Sequence, residues 1–377
     1  PHNIDALTSL GAVLGDMERY EEALVSYERA LTLNPRDPAL HCRLGTVLRN
    51  LKRLDDALAS HDRALVIRPD YTDALIKRGA TLIALHRHEE ALACFDKVLV
   101  LEPDHAIAHY NRAIALGELK RFEEALNSCD SALKLASTFT EALHYRGNTL
   151  RDLKRHQDAL ESYDRALRIK PDYAAAYNVR GTVLLELKHF EEALASYSHA
   201  IRIRPDHVDT HMNLAICLLH LGNFARGWEE YEWRWQVPKY REMKINTRAP
   251  AWEGRKLHGS LLVWNEHGLG DEIFYAGMLN DLAPYAQSIT VCVDPRLVQL
   301  FQRSFSSMQV ISRQMLAPMP HFDAHIPLGS LGRYLRSSLS AFPDRSMPYL
   351  HACSSRARNL RANLAQDKRL ICGLSWV

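Results

Sequence analysis

The apolar positions of this chain change period once. Up to about residue 236 they recur three, four and seven residues apart, as in Leu7, Leu10 and Leu14, then Ala23, Leu24, Tyr27, Ala30 and Leu31. That spacing gathers the apolar side chains on one stripe of an α-helix. Two such stripes divided by a short break read as a helical hairpin. From Ser260 the apolar residues come instead in short runs, SLLVWNE, SITVCVD and MQVISR, separated by the helix-spaced segments EIFYAGMLNDLAPYA and PRLVQLFQRSF. DAHIPLGSLGRYL reads as a further strand entering a helix. Strands alternating with helices predict a parallel, Rossmann-like sheet.

The helical part repeats. Ala23, Ala57, Ala91, Ala125, Ala159 and Ala193 lie 34 residues apart, and Gly227 holds the same phase. Pro35, Pro69, Pro103, Pro171 and Pro205 form a second column, with Ser137 in its gap. Gly11, Gly45, Gly79, Gly147 and Gly181 form a third, completed by Ala113 and Ala215. Tyr27, Phe95, Tyr163, Tyr197 and Tyr231 form a fourth, interrupted by His61 and Cys129. These columns resemble the tetratricopeptide repeat. Small residues on the first helix let the second approach, and the aromatic fills the remaining gap. Proline, with no N–H to donate, ends the second helix. The expected domain is an α-solenoid over residues 1–236, with six full repeats at 4–207 and a modified capping repeat at 208–236.

Stacked hairpins bury a continuous core and leave an extended concave surface, so the resemblance implies a protein or peptide partner, with self-association as a further option. Asn111, Asn148, Asn178 and Asn213 are the candidates for gripping a peptide backbone, since an amide side chain both donates and accepts. Arg78, Arg112, Arg146 and Arg180 form a basic column. It reads either as a ladder for acidic peptide or as aliphatic stems laid across the hairpins with their charged ends in water. Trp228, Trp233 and Trp235 crowd the capping repeat, which reads as a surface buried against a neighbouring domain, with an aromatic platform for a sugar or a base as the alternative. Residues 237–259, with Pro238, Pro250, Gly254 and Gly259, lose the helical period and read as a linker.

In the α/β segment, 260–366, the loop after the first strand carries His267, Gly268, Leu269, Gly270 and Asp271. Glycines there allow close backbone approach, and the following helix offers free N–H groups to phosphate. Asp271 also suits a helix N-cap. YEWRW, APAWEG, LLVWNEHGLGD, DAHIPLGSLGRYL and MPYL, in that order after the repeats, resemble bacterial repeat-containing glycosyltransferases related to the heptosyltransferases and the protein O-linked N-acetylglucosamine transferases. The resemblance implies a GT-B fold of two Rossmann-like halves. Residues 260–366 would be the acceptor-side half and 367–377 the first strand of a truncated donor-side half, leaving this chain with little turnover. It also implies a nucleotide-sugar donor and no other cofactor. Asp271 matches the family's base, His267 is the competing base, and Gly268 and Gly270 lie where the amides would steady the leaving diphosphate. The alternative is a non-catalytic protein–protein interaction scaffold.

Composition narrows the partners. Lys+Arg of 47 against Asp+Glu of 45 provides no field to favour nucleic acid or anionic lipid. The seven cysteines are scattered and never form a CxxC pair, so neither a disulfide framework nor a metal site is expected. Free thiols in apolar patterns fit a reducing, cytoplasmic setting. No stretch is apolar enough to span a bilayer.

Overall fold

The computed structural model describes residues 3–316, 318–343 and 348–364. The chain divides into two compact units, residues 1–189 and 190–377. The proposed strand at 367–377 lies outside the described residues.

The described residues of the first unit form eleven helices: α1 (Ile4–Asp16), α2 (Tyr20–Leu33), α3 (Pro38–Asn50), α4 (Leu54–Ile67), α5 (Thr72–Ala84), α6 (His88–Leu101), α7 (Ala106–Glu118), α8 (Phe122–Leu135), α9 (Thr140–Asp152), α10 (His156–Ile169) and α11 (Ala174–Glu186). Each odd-numbered helix is followed by a residue in the left-handed region, namely Glu18, Lys52, His86, Lys120, Lys154 and Lys188, with φ between 58° and 63°. At the first of these turns the Arg19 amide donates to Leu14 O and the Glu18 amide to Gly15 O. This Schellman pattern satisfies the last carbonyls and reverses the chain within three residues. Proline is less decisive than the sequence suggests. α8 stops at Leu135 with Ser137 beyond it, in the same phase as α2 and α4, which are followed by Pro35 and Pro69.

The glycine column makes the close approach inferred from the repeat. A Cβ on Gly11 would meet the Tyr27 ring at 2.8 Å, one on Gly79 the Phe95 ring at 2.5 Å, and one on Gly45 the His61 ring at 2.5 Å. In the fourth hairpin both partners change together. Ala113 and Cys129 are fully buried in one cluster, and Tyr145 from α9 packs against it.

The arginine column differs from both readings offered above. Arg78 Nε donates to Asp62 Oδ1 at 2.6 Å, Arg112 to Asp96 at 2.6 Å, Arg146 to Asp130 at 2.7 Å and Arg180 to Asp164 at 2.7 Å. Arg112 and Arg146 also donate through Nη1 to Ser128 and Ser162, both at 2.7 Å. Each arginine therefore ties the second helix of the preceding hairpin to its own, and the column is internal mortar between repeats.

The second unit opens with α12 (Phe190–Ile203), α13 (Val208–His220) and α14 (Phe224–Tyr231), followed by a 3-10 turn at Glu232–Gln236 and α15 (Pro238–Glu242). Among the described residues four parallel strands follow, β1 (Ser260–Trp264), β2 (Ser288–Val293), β3 (Gln309–Ser312) and β4 (Ala324–Pro327), in the order β3-β2-β1-β4. The crossing helices are α16 (Leu269–Ala276) and α17 (Val298–Ser304), with α18 (Leu331–Leu335) after β4 and α19 (Ser354–Leu364) beyond it. Leu261, Val263, Val291 and Ile326 fill one face with Trp228, Trp252, Tyr275 and Phe301, all buried.

Three expectations change here. The stretch 237–259 is only partly a linker: the His325 amide donates to Pro250 O, the Trp252 amide to His325 O, and Trp252 is buried in the core. The helix after β1 starts earlier and stops at Gly277, where Tyr349 packs close, so Leu279 falls on a separate 3-10 turn. The compact unit begins within the repeats, at residue 190, because the terminal repeat is anchored to the sheet. Trp228 faces Gly332 and donates through Nε1 to Arg336 O at 2.9 Å.

Candidate functional site

Two places gather polar groups that could receive a ligand, one in each unit. In the first, α1, α3 and α5 line a cavity of about 360 Å³ whose polar wall includes Asp16, Arg43, Asn50, Tyr71, Asp73 and Lys77. The Cys42 thiol donates to Asp73 Oδ2 at 3.5 Å, and burial followed by that carboxylate pushes the thiol up to about 12, so it stays protonated. Burial also raises the Tyr71 hydroxyl, which remains a donor at neutral pH. The cavity thus offers two cations, two carboxylates and neutral donors within one hollow.

The four asparagines chosen from the sequence do not line this cavity. Asn111, Asn148 and Asn178 lie half-buried on α7, α9 and α11, and Asn213 on α13 of the second unit. Asn148 accepts from the Tyr163 hydroxyl at 2.8 Å, and the Asn178 backbone carbonyl accepts from Thr182 Oγ1 at 3.1 Å. The missed signal was positional: Arg43, Lys77, Asn111 and Asn213 share one column of the 34-residue period. Attention to amides alone passed over the two charged members.

In the second unit the site is the carboxyl end of β1 and β4. Arg234, from the terminal repeat, is fully buried there. Its Nη1 donates to Tyr231 O at 3.1 Å and Glu232 Oε1 at 2.7 Å, and its Nη2 donates to Glu266 Oε1 at 3.1 Å and Ser330 Oγ at 2.6 Å. The Tyr231 and Trp235 rings lie 4.5 and 4.6 Å from the guanidinium carbon. Burial works against the guanidinium charge, but Glu232 and Glu266 outweigh it and hold Arg234 above its ordinary value. Glu266 Oε1 also accepts from the Gly329 amide at 2.9 Å, which joins the β1 loop to the β4 loop.

His267 is drawn into this network. Its side chain is 4% exposed, with Nε2 3.2 Å from Glu266 Oε1 and 3.2 Å from the Tyr231 hydroxyl. The Tyr275 hydroxyl donates to that of Tyr231 at 3.2 Å. His267 is therefore engaged and turned away from solvent. Gly268, Gly270 and Asp271 lie beside it, with Gly270 and Asp271 more open to solvent than the histidine. Gly268 is the N-cap of α16, so Asp271 is not; it sits in the first turn, where a carboxylate complements the helix dipole. A Cβ at Gly268 or Gly270 would meet nothing within 4 Å, and neither has positive φ, so no packing or backbone need within the chain calls for glycine there. Glu272, directed inward, accepts from Asn265 Nδ2 at 2.8 Å and from the Asp294 amide at 2.9 Å, fixing α16 to the ends of β1 and β2. Burial raises its carboxyl, opposed by these two donors.

At the other end of α16 lies an apolar cavity of about 610 Å³, lined among others by Phe224, Trp228, Phe274, Tyr275, Phe342 and Tyr349. Among the described residues no cluster of His, Cys, Asp and Glu has the geometry to hold a metal ion. No helix among them is long and apolar enough to cross a membrane.

Family models described as tetratricopeptide repeat match residues 4–37, 26–59, 76–138 and 138–206. Protein FlbA of Caulobacter vibrioides is 28% identical over 160 residues, which cover 38% of this chain and 27% of that protein. A tetratricopeptide-repeat protein from Parabacteroides merdae superposes with a TM-score of 0.52 at 18% identity, covering 64% of this chain and 95% of its own, and shares the fold. A thermophilic repeat protein from Thermus thermophilus matches at 25% identity and a TM-score of 0.44, over 48% of this chain and 100% of its own. Residues 4–59 and 76–206 thus carry tetratricopeptide repeats.

Proposed function

We propose that the chain is a protein-interaction scaffold that holds an extended peptide on the inner helices of its first three hairpins. The observation that carries this is the polar cavity between α1, α3 and α5, where Arg43 and Lys77 share one wall with Asp16 and Asp73. Such a wall reads a peptide through its backbone and one charged side chain of either sign, at moderate affinity. The test is selection of binders from a random peptide display library on the intact chain, followed by titration against the Arg43→Glu/Lys77→Glu variant. A selected peptide should lose at least about tenfold in affinity, equivalent to about 1.4 kcal/mol. Recovery of no peptide, or equal binding by the variant at unchanged melting temperature, removes this reading.

A second reading is favoured by the strand order. In β3-β2-β1-β4 the winding reverses between β1 and β4. Open parallel sheets take their ligands outside the carboxyl ends of the strands at such a reversal. The Gly268 and Gly270 amides lie there, with Asp271 next to them. On this reading the segment is the Rossmann-like acceptor-side half of a GT-B glycosyltransferase. Asp271 would take the proton from an acceptor hydroxyl as its oxygen bonds to the sugar of a nucleotide-sugar donor. The unbranched turn would leave room for the diphosphate, which departs with the sugar–oxygen bond electrons. A cytoplasmic setting agrees with the buried free thiols of Cys42, Cys94, Cys129, Cys217 and Cys292. A full-length version that carries the donor-side half, incubated with common nucleotide sugars, should release nucleoside diphosphate, and Asp271→Ala should slow it at least about a hundredfold. Release from none of them leaves the scaffold alone.

A further inference from the structure

We infer that the apolar cavity at the C-terminal end of α16 is a binding site for a small organic anion with an apolar body. It is distinct from the peptide hollow of the first unit and from the turn after β1, because α16 leads away from that turn and the cavity wall takes in Gly277 at its far end. The cavity measures about 610 Å³. Sites for small molecules span about 300–1,000 Å³, with a mainly hydrophobic and aromatic wall and a few placed polar groups.

The chemistry of the wall sets the class of ligand. Three of its aromatic side chains carry a polar atom, and each is engaged within the protein. Trp228 Nε1 donates to Arg336 O at 2.9 Å, the Tyr275 hydroxyl to that of Tyr231 at 3.2 Å, and the Tyr349 hydroxyl to Ile273 O at 2.8 Å. The Phe224 and Phe342 ring centroids lie 4.8 Å apart. These residues leave mainly ring surface to the cavity. A sugar or a peptide backbone placed there would lose water from hydroxyls or amides without partners to replace it. A hydrocarbon body loses nothing of that kind, and Phe274, 72% exposed, offers it a further ring to cover. Among the described residues of the wall, the ionised side chain is that of Arg336, only 7% exposed. Its Nη1 donates to Leu335 O at 2.7 Å and its Nη2 to Asp281. A guanidinium has five N–H groups, so an acceptor on a ligand can be held without displacing Asp281. The guanidinium carbon lies 5.5 Å from the centre of the Phe342 ring, which sets the charge against the apolar wall. An anionic head makes the strongest hydrogen bond to such a group, and its apolar body then lies along the rings.

The probe is anilinonaphthalene sulfonate, an aromatic body with a single anionic group, titrated into the intact chain at neutral pH. It should bind one-to-one with blue-shifted emission. Below their micelle concentrations, dodecanoate should displace it, dodecanol should do so at least about tenfold less well, and dodecyltrimethylammonium should not displace it. Phe274 is exposed, so its variants keep the fold, as an unchanged melting temperature will show. Phe274→Glu should weaken the probe at least about tenfold and Phe274→Lys by less than about threefold. Arg336→Met/Asp281→Asn, which leaves neither charge unpaired, should bring dodecanoate down to the level of dodecanol; if that variant does not fold, the two Phe274 variants still decide. Binding of several probes per chain, or equal binding by the unaltered chain and Phe274→Glu, overturns the site. Displacement by dodecanol as readily as by dodecanoate, or equal weakening by Phe274→Glu and Phe274→Lys, overturns the anionic head.

Discussion

Arg234 Nη2 donates to Glu266 Oε1 across 3.1 Å, with no solvent exposure of either side chain. The arginine belongs to the terminal repeat and the glutamate to the turn after β1, so one ion pair fixes the repeat to the end of the sheet where β4 also arrives. Breaking a buried pair from one side leaves the other charge uncompensated, a loss of about 3–5 kcal/mol. Arg234→Met should lose that much, and the added Glu266→Gln should restore a large part of it. Arg234→Lys should not rescue, because one ammonium cannot serve Tyr231 O, Glu232, Glu266 and Ser330 from a single position. Every tryptophan of the sequence lies beyond residue 190, so denaturant unfolding followed by tryptophan emission reports the second unit alone. A change under about 1 kcal/mol for Arg234→Met would mean that the anchor resides in Trp228 instead.

The repeats were legible because their determinants are local: a 34-residue period needs only small, aromatic and apolar residues at fixed phase. The role of the arginine column was not. The partners, Asp62, Asp96, Asp130 and Asp164, each stand sixteen residues earlier, and only the stacking of one hairpin on the next turns that separation into contact. Arg234 was hidden for a similar reason. Within YEWRW it looks like the polar rim of an aromatic cap, and its burial depends on Glu266 and Ser330, 32 and 96 positions away. The β strands were readable from their runs of apolar residues. The cover over His267 was not, since it comes from Tyr231 in the terminal repeat.

Gly79 and Phe95 test the close approach of paired helices. Phe95 is fully buried, and a methyl on Gly79 meets its ring at 2.5 Å. Overpacking of this kind costs about 1–3 kcal/mol, partly offset by about 1 kcal/mol of helix propensity gained over glycine. Gly79→Ala should therefore lower stability by about 1 kcal/mol. Because the fourth hairpin already pairs alanine with cysteine, Gly79→Ala/Phe95→Cys should lose less than the sum of its single variants. A double-mutant cycle by circular dichroism measures the coupling; strict additivity would show that the ring moves aside freely.

Lys154 holds a φ of 61° at the end of α9, and the Lys154 and Arg155 amides donate to Arg151 O and Leu150 O, both at 2.8 Å. A side chain in this region is strained by about 1 kcal/mol, and glycine removes the strain at some loss in unfolded-chain entropy. Lys154→Gly should gain about 0.5 kcal/mol. Gly222, at a φ of 74° in the equivalent turn after α13, should show the reverse, with Gly222→Ala losing about 1 kcal/mol. Thermal melts of both variants check the pair, and the same sign for the two would exclude the backbone explanation.

His61 occupies the aromatic column against Gly45, fully buried, with neither ring nitrogen hydrogen-bonded. Burial, then the nearby positive charges of Arg49, Lys77 and Arg78, pushes its pKa down to about 3. The unfolded chain takes up a proton near pH 6.5 that the folded ring refuses until about pH 3, so stability is fully present above pH 6.5 and drains away as the pH falls through that window. The slope is about 1.4 kcal/mol per pH unit for one such group, or about 2 kcal/mol between about pH 6.5 and 5. His144, pushed down to about 4 by burial, acts in the same direction. Phe95 shows that the column accepts phenylalanine opposite glycine. His61→Phe should raise stability at about pH 7 by filling the site without polar atoms, and it should roughly halve the acid slope above about pH 5, where His144 still contributes. Urea unfolding followed by far-ultraviolet circular dichroism at about pH 7.5, 6.5 and 5 separates the two effects. An unchanged slope in the variant would show that the His61 ring is not the group the unfolded chain protonates.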